Sequence, residues 1–136
     1  MRVFLDTNVL VSAFAARGLC ADLFELVLLE HELILGGNVL RELRGALQRK
    51  VKLPASDSAA IVEFLLGEAT LLIESSSPVR AAVDPDDAIV LGDAVAGNAQ
   101  VFVTGDARVL RLTGLGELRI VSPREFWELL GARKER

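Results

Sequence analysis

Cysteine and histidine are nearly missing from this sequence: Cys20 and His31 are the single examples in 136 residues. A lone cysteine excludes an internal disulfide and points to a reducing cytoplasm. Cys20 is read as a small buried hydrophobe. With one residue of each kind, a Cys/His zinc site is excluded. So is a ribonuclease that uses a histidine pair as acid and base. His31 is taken as a surface residue at a helix end. Tyrosine is absent and Trp127 is the sole tryptophan, so stacking of bases on aromatic rings has little support; Trp127 is assigned to the core or to an interface. No Gly-x-x-x-x-Gly-Lys-Ser/Thr loop occurs, and Gly36-Gly37 and Gly114-x-Gly116 are too weak to stand in for a phosphate loop. Positive charge is outweighed, 15 basic against 19 acidic side chains for a net −4. That balance disfavours broad binding of nucleic acid but allows local basic patches. No apolar run is long and charge-free enough to cross a membrane. Asp6 and Asn8 interrupt the apolar stretch after Arg2, which argues against a signal peptide.

What is present is aliphatic. Half of the residues are hydrophobic, and few of these are aromatic, which suits helices packed on a sheet. The length fits one domain over 1–136, with residues 132–136 read as a flexible charged tail. Val3-Phe4-Leu5 reads as a strand buried on both faces. It stops abruptly at Asp6-Thr7-Asn8, and a short helix is expected over Val9–Ala16 with Asn8 as its cap. Helical spacing of apolar residues marks Leu19–Glu30. A strand over Glu32–Leu35 ends at Gly36-Gly37, and Asn38 can cap a helix over 39–51. A further helix opens at Ser56 or Asp57 and closes at Gly67. Thr70–Glu74, Val101–Thr104 and Leu118–Val121 read as strands. Asp84 opens a helix to about Gly97, Asp106 opens a short one to Leu112, and Pro123 starts the last. Alternation of strands and helices predicts an α/β domain with a mainly parallel sheet and right-handed crossovers.

Three acidic clusters share one context. Asp6 ends the first strand, Asp84-Pro85-Asp86-Asp87 opens a helix, and Asp106 follows the fourth strand. Singly, each has a plain structural explanation: Asp84 at a cap, Pro85 at the first helical position and acids in the first turn make a near-ideal helix start. Together they ask for more. Strand ends of a parallel sheet lie on one edge, where α/β sheets bind ligands. Carboxylates crowded there repel unless a cation neutralises them. Oxygen-only donors suit Mg²⁺ or Mn²⁺, and such a site can activate water and steady a phosphoryl transition state without histidine.

These motifs resemble the PIN domain, the metal-dependent nuclease fold found in VapC-type toxins of toxin–antitoxin pairs. Asp6-Thr7-Asn8-Val9-Leu10 is similar to the opening motif, Asp84-Pro85-Asp86-Asp87 to the central acidic motif, and Val103-Thr104-Gly105-Asp106 to the closing motif. The order and spacing of all three carry the resemblance over nearly the whole chain. It implies a three-layer α/β/α fold with five parallel strands. It also implies that Asp6, Glu42 and Asp87 hold the metal, with Asp106 as a fourth acid. Glu42 enters only through the resemblance; it lies off the Leu40/Leu43/Leu47 stripe, where a solvated helix face is the alternative. Asp84 is a second candidate in its motif. Thr7, Asn8 and Thr104 would orient the carboxylates by hydrogen bonds. Asp93, about two turns beyond Asp87, departs from the family pattern; it is taken to face solvent and is not counted as a ligand.

The resemblance implies hydrolysis of RNA phosphodiesters with Mg²⁺ or Mn²⁺, an antitoxin partner that covers the acidic cleft, and often a homodimer. Arg41, Arg44, Arg49, Lys50 and Lys52 surround Glu42; they either contact phosphate or merely solvate the helix. The helix over Leu19–Leu29 carries more apolar residues than one buried stripe needs, which hints at an interface. Two alternatives stand beside the nuclease. One is a domain that binds RNA or protein without cutting. The other is a phosphatase of the haloacid dehalogenase type, which wants Asp-x-Asp where this chain has Asp6-x-Asn8.

Overall fold

The structure, a computed structural model, describes residues 1–81 and 83–134. Five strands form one sheet: β1 (Arg2–Leu5), β2 (Glu32–Gly36), β3 (Leu71–Ile73), β4 (Val101–Val103) and β5 (Arg119–Val121), in the spatial order β3-β2-β1-β4-β5. Every pairing is parallel, with Phe4 beside both Ile34 and Phe102. Seven helices are described: α1 (Thr7–Ala15), α2 (Leu19–Glu30), α3 (Gly37–Arg49), α4 (Ala55–Glu68), α5 (Pro85–Ala96), α6 (Ala107–Leu110) and α7 (Pro123–Lys134).

The apolar runs explain the order. Val3, Phe4 and Leu5, Leu33 to Leu35, and Val101 to Val103 are all buried, as strands covered on both faces must be. Phe4 and Phe102 stack with ring centroids 5.3 Å apart across β1 and β4. The edge strands are short, and Leu71 of β3 is exposed. From β1 the chain steps outward to β2 and β3, then returns through α5 to β4 on the other side of β1. Parallel crossovers are right-handed as a rule, so stepping outward in both directions from β1 places helices on both faces. They also make the β1/β4 boundary the switch point, where a crevice opens at the strands' C-terminal ends.

Local signals differ from expectation at several helix starts. Asp6, not Asn8, is the cap of α1: its backbone is extended and its carboxylate accepts from Thr7 N. Gly36, not Asn38, occupies the cap of α3 and supplies no side-chain bond. In both places the strand runs into the helix without a loop, so the helix begins earlier than its apolar stripe. Asp84 does sit at the cap of α5 with Pro85 after it, yet its side chain makes no capping bond. At α7 the reciprocal pattern is complete: Ser122 Oγ accepts from Glu125 N, and Glu125 Oε1 accepts from Ser122 N. Helix α7 runs through Lys134, into the stretch read as a tail; Glu135 and Arg136 lie outside the described residues. His31 caps the end of α2 half-buried, and the Met1 ammonium donates to its Nδ1. Among the described residues no helix is long and apolar enough to cross a membrane.

Candidate metal centre

Asp6 sits at the switch point. Its backbone N–H donates to Val103 O, extending the β1–β4 ladder by one step. Its Oδ1 accepts from Thr7 N at 2.8 Å, and its Oδ2 accepts from Thr104 Oγ1 at 2.8 Å and from Asn8 Nδ2 at 3.2 Å. Only 8% of Asp6 is exposed. Burial is the main force pushing its carboxyl up, from an ordinary 3.8 to about 6; the bonds from Thr104 and Thr7 oppose this, and the charges of Glu42 and Asp87 add to it.

Asn8 and Thr104 join the two strand ends. Asn8 Oδ1 accepts from Gly105 N at 2.8 Å, while its Nδ2 also reaches Thr104 Oγ1. Buried Thr104 donates to Asp6 and accepts from Asp106 N at 3.1 Å. Asn8 is thus drawn away from capping because the turn after β4 offers it a donor. Thr7 Oγ1 donates to Glu42 Oε2 at 2.8 Å, which ties the exposed glutamate of α3 to the residue beside Asp6.

The remaining acids form the other wall. Asp87, half-buried in the first turn of α5, has its carboxyl pushed up first by burial and then by Asp106 and Asp84, with Arg108 opposing. Asp106 caps α6, its Oδ1 accepting from Arg108 N at 2.8 Å. Arg108 pairs with Asp84 at 3.2 Å and with Asp106 at 3.7 Å. The side chain of Asp84, at the cap position of α5, is therefore engaged in an ion pair rather than in a capping bond. No sequence motif marks Arg108 or Arg111. Only their spacing after Asp106 could have drawn attention to them.

These acids surround one crevice without closing on a point. Among the described residues no three His, Cys, Asp or Glu side chains converge closely enough to hold a metal ion. Glu42 is turned to Thr7, and Asp106 to the start of α6. The donor chemistry nevertheless fits a hard divalent cation: the groups are carboxylates, with hydroxyl and amide neighbours that orient them.

The basic residues of α3 spread along the helix. Arg41 donates to Asn38 Oδ1 beside Glu42. Arg49 lies eight positions beyond Arg41, about 12 Å along the axis at 1.5 Å per residue, and Lys50 follows it. Asp93, expected in solvent, is instead wholly buried. Its Oδ1 accepts from Ser76 Oγ at 2.7 Å and its Oδ2 from Asn38 Nδ2 at 3.0 Å. A Cβ on Gly36 would lie 2.7 Å from that Oδ2, so only glycine admits the carboxylate there. Asn38 donates its Nδ2 to this carboxylate and accepts from Arg41 with its Oδ1, so its oxygen is not free to cap α3.

The PIN domain family profile matches residues 2–108. The chain belongs to the PIN domain family. Its closing motif at Asp106 thus falls inside the matched span. No curated protein sequence matches it significantly. Among solved structures, this PIN domain is similar to a chain in VapBC2 from Rickettsia felis bound to a DNA fragment from its promoter: TM-score 0.63, 15% identity, covering 90% of this chain and 98% of that one. It is similarly related to a chain in DNA-bound VapBC from Salmonella typhimurium, with TM-score 0.61, 18% identity and the same coverage. At these identities the likeness is one of fold: a PIN-type sheet of five parallel strands with helices on both sides.

Proposed function

We propose that this PIN domain is a divalent-metal-dependent endoribonuclease, the toxin of a toxin–antitoxin pair acting in the cytoplasm. The observation that supports it most is the placement of Asp6. It is a buried carboxylate at the sheet's switch point, with its carboxyl pushed to about 6 and with Glu42 and Asp87 charged beside it. Asp6, Glu42 and Asp87 would hold Mg²⁺ or Mn²⁺, with Asp106 joining once turned from α6. When bound, the metal supplies Lewis acidity to a phosphodiester and lowers the pKa of a bound water.

This chain's own groups do the rest. Thr104 and Asn8 fix Asp6, Thr7 steers Glu42 toward it, and Asn8 holds the β4 turn by accepting from Gly105 N. Arg41 offers a guanidinium beside Glu42 for a phosphate. An antitoxin would cover the acidic crevice, by analogy with the VapBC complexes. A homodimer would bury Leu29 and Trp127, which are exposed and line one shallow groove with Leu26.

The test is cleavage of structured and single-stranded RNA with Mn²⁺ or Mg²⁺, with EDTA, and with Asp6→Asn. Metal-dependent cutting that disappears in Asp6→Asn supports the nuclease. Binding of RNA without cutting, in the presence of bound metal, would favour the non-catalytic reading. Cutting that persists in Asp6→Asn removes this crevice from the reaction.

A further inference from the structure

Beside the acids runs a groove of about 450 Å³, lined by Val83, Asp84, Asp87, Arg108, Arg111 and Leu112. We propose that it is a phosphate subsite for single-stranded RNA, in which Arg108 and Arg111 grip the backbone next to the scissile phosphodiester. The proposal rests on the nuclease reading and adds to it the residues that seat the strand.

The groove has three kinds of wall. Asp87 lines it and is close enough to Asp6 and Asp106 to interact with both by charge, so the groove borders the acids. Val83 and Leu112 give an apolar surface of the kind a ribose or base edge packs on. Arg108 and Arg111 are three positions apart and so share a face of the last helical turn. The volume falls within the range of small-ligand pockets and accommodates a nucleotide.

Charge explains why guanidinium is needed at this spot. A phosphodiester brought beside Asp84, Asp87 and Asp106 meets like charge, and none of the basic residues of α3 lines this groove. Arg108 is the cation that already acts on Asp87. Its pairs with Asp84 and Asp106 leave the Arg108 side chain 65% exposed. Exposed pairs of this kind are weak, so they can yield the guanidinium to a phosphate, which it can bind bidentately. Arg111, exposed at the end of α6, has no ion pair among the described residues.

The experiment measures fluorescence anisotropy of a labelled single-stranded RNA over a salt series. The protein is Asp6→Asn throughout, so that the probe is not consumed. Adding Arg108→Ala and Arg111→Ala together should weaken binding by at least tenfold. It should also flatten the slope of log affinity against log salt by about 1.4, two phosphate contacts at roughly 0.7 each for a single strand. Arg108→Lys, which keeps the charge, should retain most of the slope. Arg17→Ala, an exposed arginine in the α1–α2 connection, should leave both readings unchanged. The proposal is overturned if the double variant keeps the parent's affinity and slope; the arginines would then be free for an acidic partner segment. It is overturned equally if Arg17→Ala costs as much, since the effect would be general charge. If the wild-type protein cuts no RNA and the parent binds none, the nuclease reading itself has failed and the subsite falls with it.

Discussion

Asp6 and Asp93 are both buried carboxylates, and the fold treats them in different ways. Asp93 lies in the last turn of α5, fully enclosed. Two neutral donors from separate segments converge on it, Asn38 on α3 and Ser76 after β3. It fastens the helix carrying Asp87 to the helix carrying Glu42. Asp6 lies at a strand tip with donors on one side and other acids on the opposite side. Buried charge is tolerated when hydrogen bonds meet it from all quarters. At Asp93 the polar groups make a structural knot. At Asp6 other acids stand close by and add to the push on its carboxyl, and the two residues can be separated by experiment.

The largest expected effect is on chemistry. Asp6→Asn should lower metal-dependent RNA cleavage by roughly 10³-fold, corresponding to several kcal/mol of metal-derived stabilisation, measured as single-turnover rates. Asp93→Asn should retain most of the cleavage, because an amide can accept from Asn38 and donate to Ser76. Equal losses at both positions would erase the distinction.

The next effect is on stability and runs the other way. Asp93→Ala leaves Asn38 and Ser76 without their acceptor, and should cost about 3 kcal/mol, a fall of roughly 10 °C in Tm. Metal-free Asp6→Asn should instead be more stable than wild type at neutral pH, by about 1–2 kcal/mol, as expected when a functional charge is removed. Calorimetry of the two variants decides this.

The pH dependence sharpens the same point. Folding raises the Asp6 carboxyl from 3.8 to about 6, so the folded state binds its proton more tightly than the unfolded chain. Its favourable contribution is full below about pH 4 and is lost as pH rises through about 6. The span corresponds to roughly 3 kcal/mol, and Asp87 acts in the same direction. Across this window the stability of wild type should fall relative to Asp6→Asn in thermal melts without metal. Parallel curves would show that the carboxyl is not raised. The smallest effect is expected at Arg108→Ala, whose exposed ion pairs should be worth at most about 0.5 kcal/mol by chemical denaturation.

Much of this architecture could be read from local pattern. The apolar runs at Val3–Leu5, Leu33–Leu35 and Val101–Val103 announce buried parallel strands, and Pro85 and Pro123 mark helix starts. Two of the candidate acids are legible too, because Asp6 and Asp106 follow the ends of β1 and β4, whereas Glu42 enters only through the family resemblance. The helix caps were less so: Asn8 and Asn38 have the composition of caps, but the oxygen of Asn8 is taken by Gly105 N and that of Asn38 by the Arg41 guanidinium. Asn8 reaches a residue 97 positions away, and Asn38 one 55 positions away. Asp93 was misplaced for a related reason. A charged residue flanked by Gly92 and Ala94 looks solvated until Ser76, Asn38 and the missing side chain of Gly36 are seen to enclose it.

By itself, the sequence determined the class of fold, the order of its elements and the residues able to offer oxygen to a cation. These depend on apolar periodicity, turn chemistry and residue type, all of them local. Tertiary structure decided which of those residues meet. The return through α5 places β4 beside β1 and so brings Thr104 to Asp6 across 98 positions. The same packing encloses Asp93 and lines a groove with Arg108 and Arg111. Contacts between distant segments follow from the path of the whole chain, and no stretch of residues contains them alone.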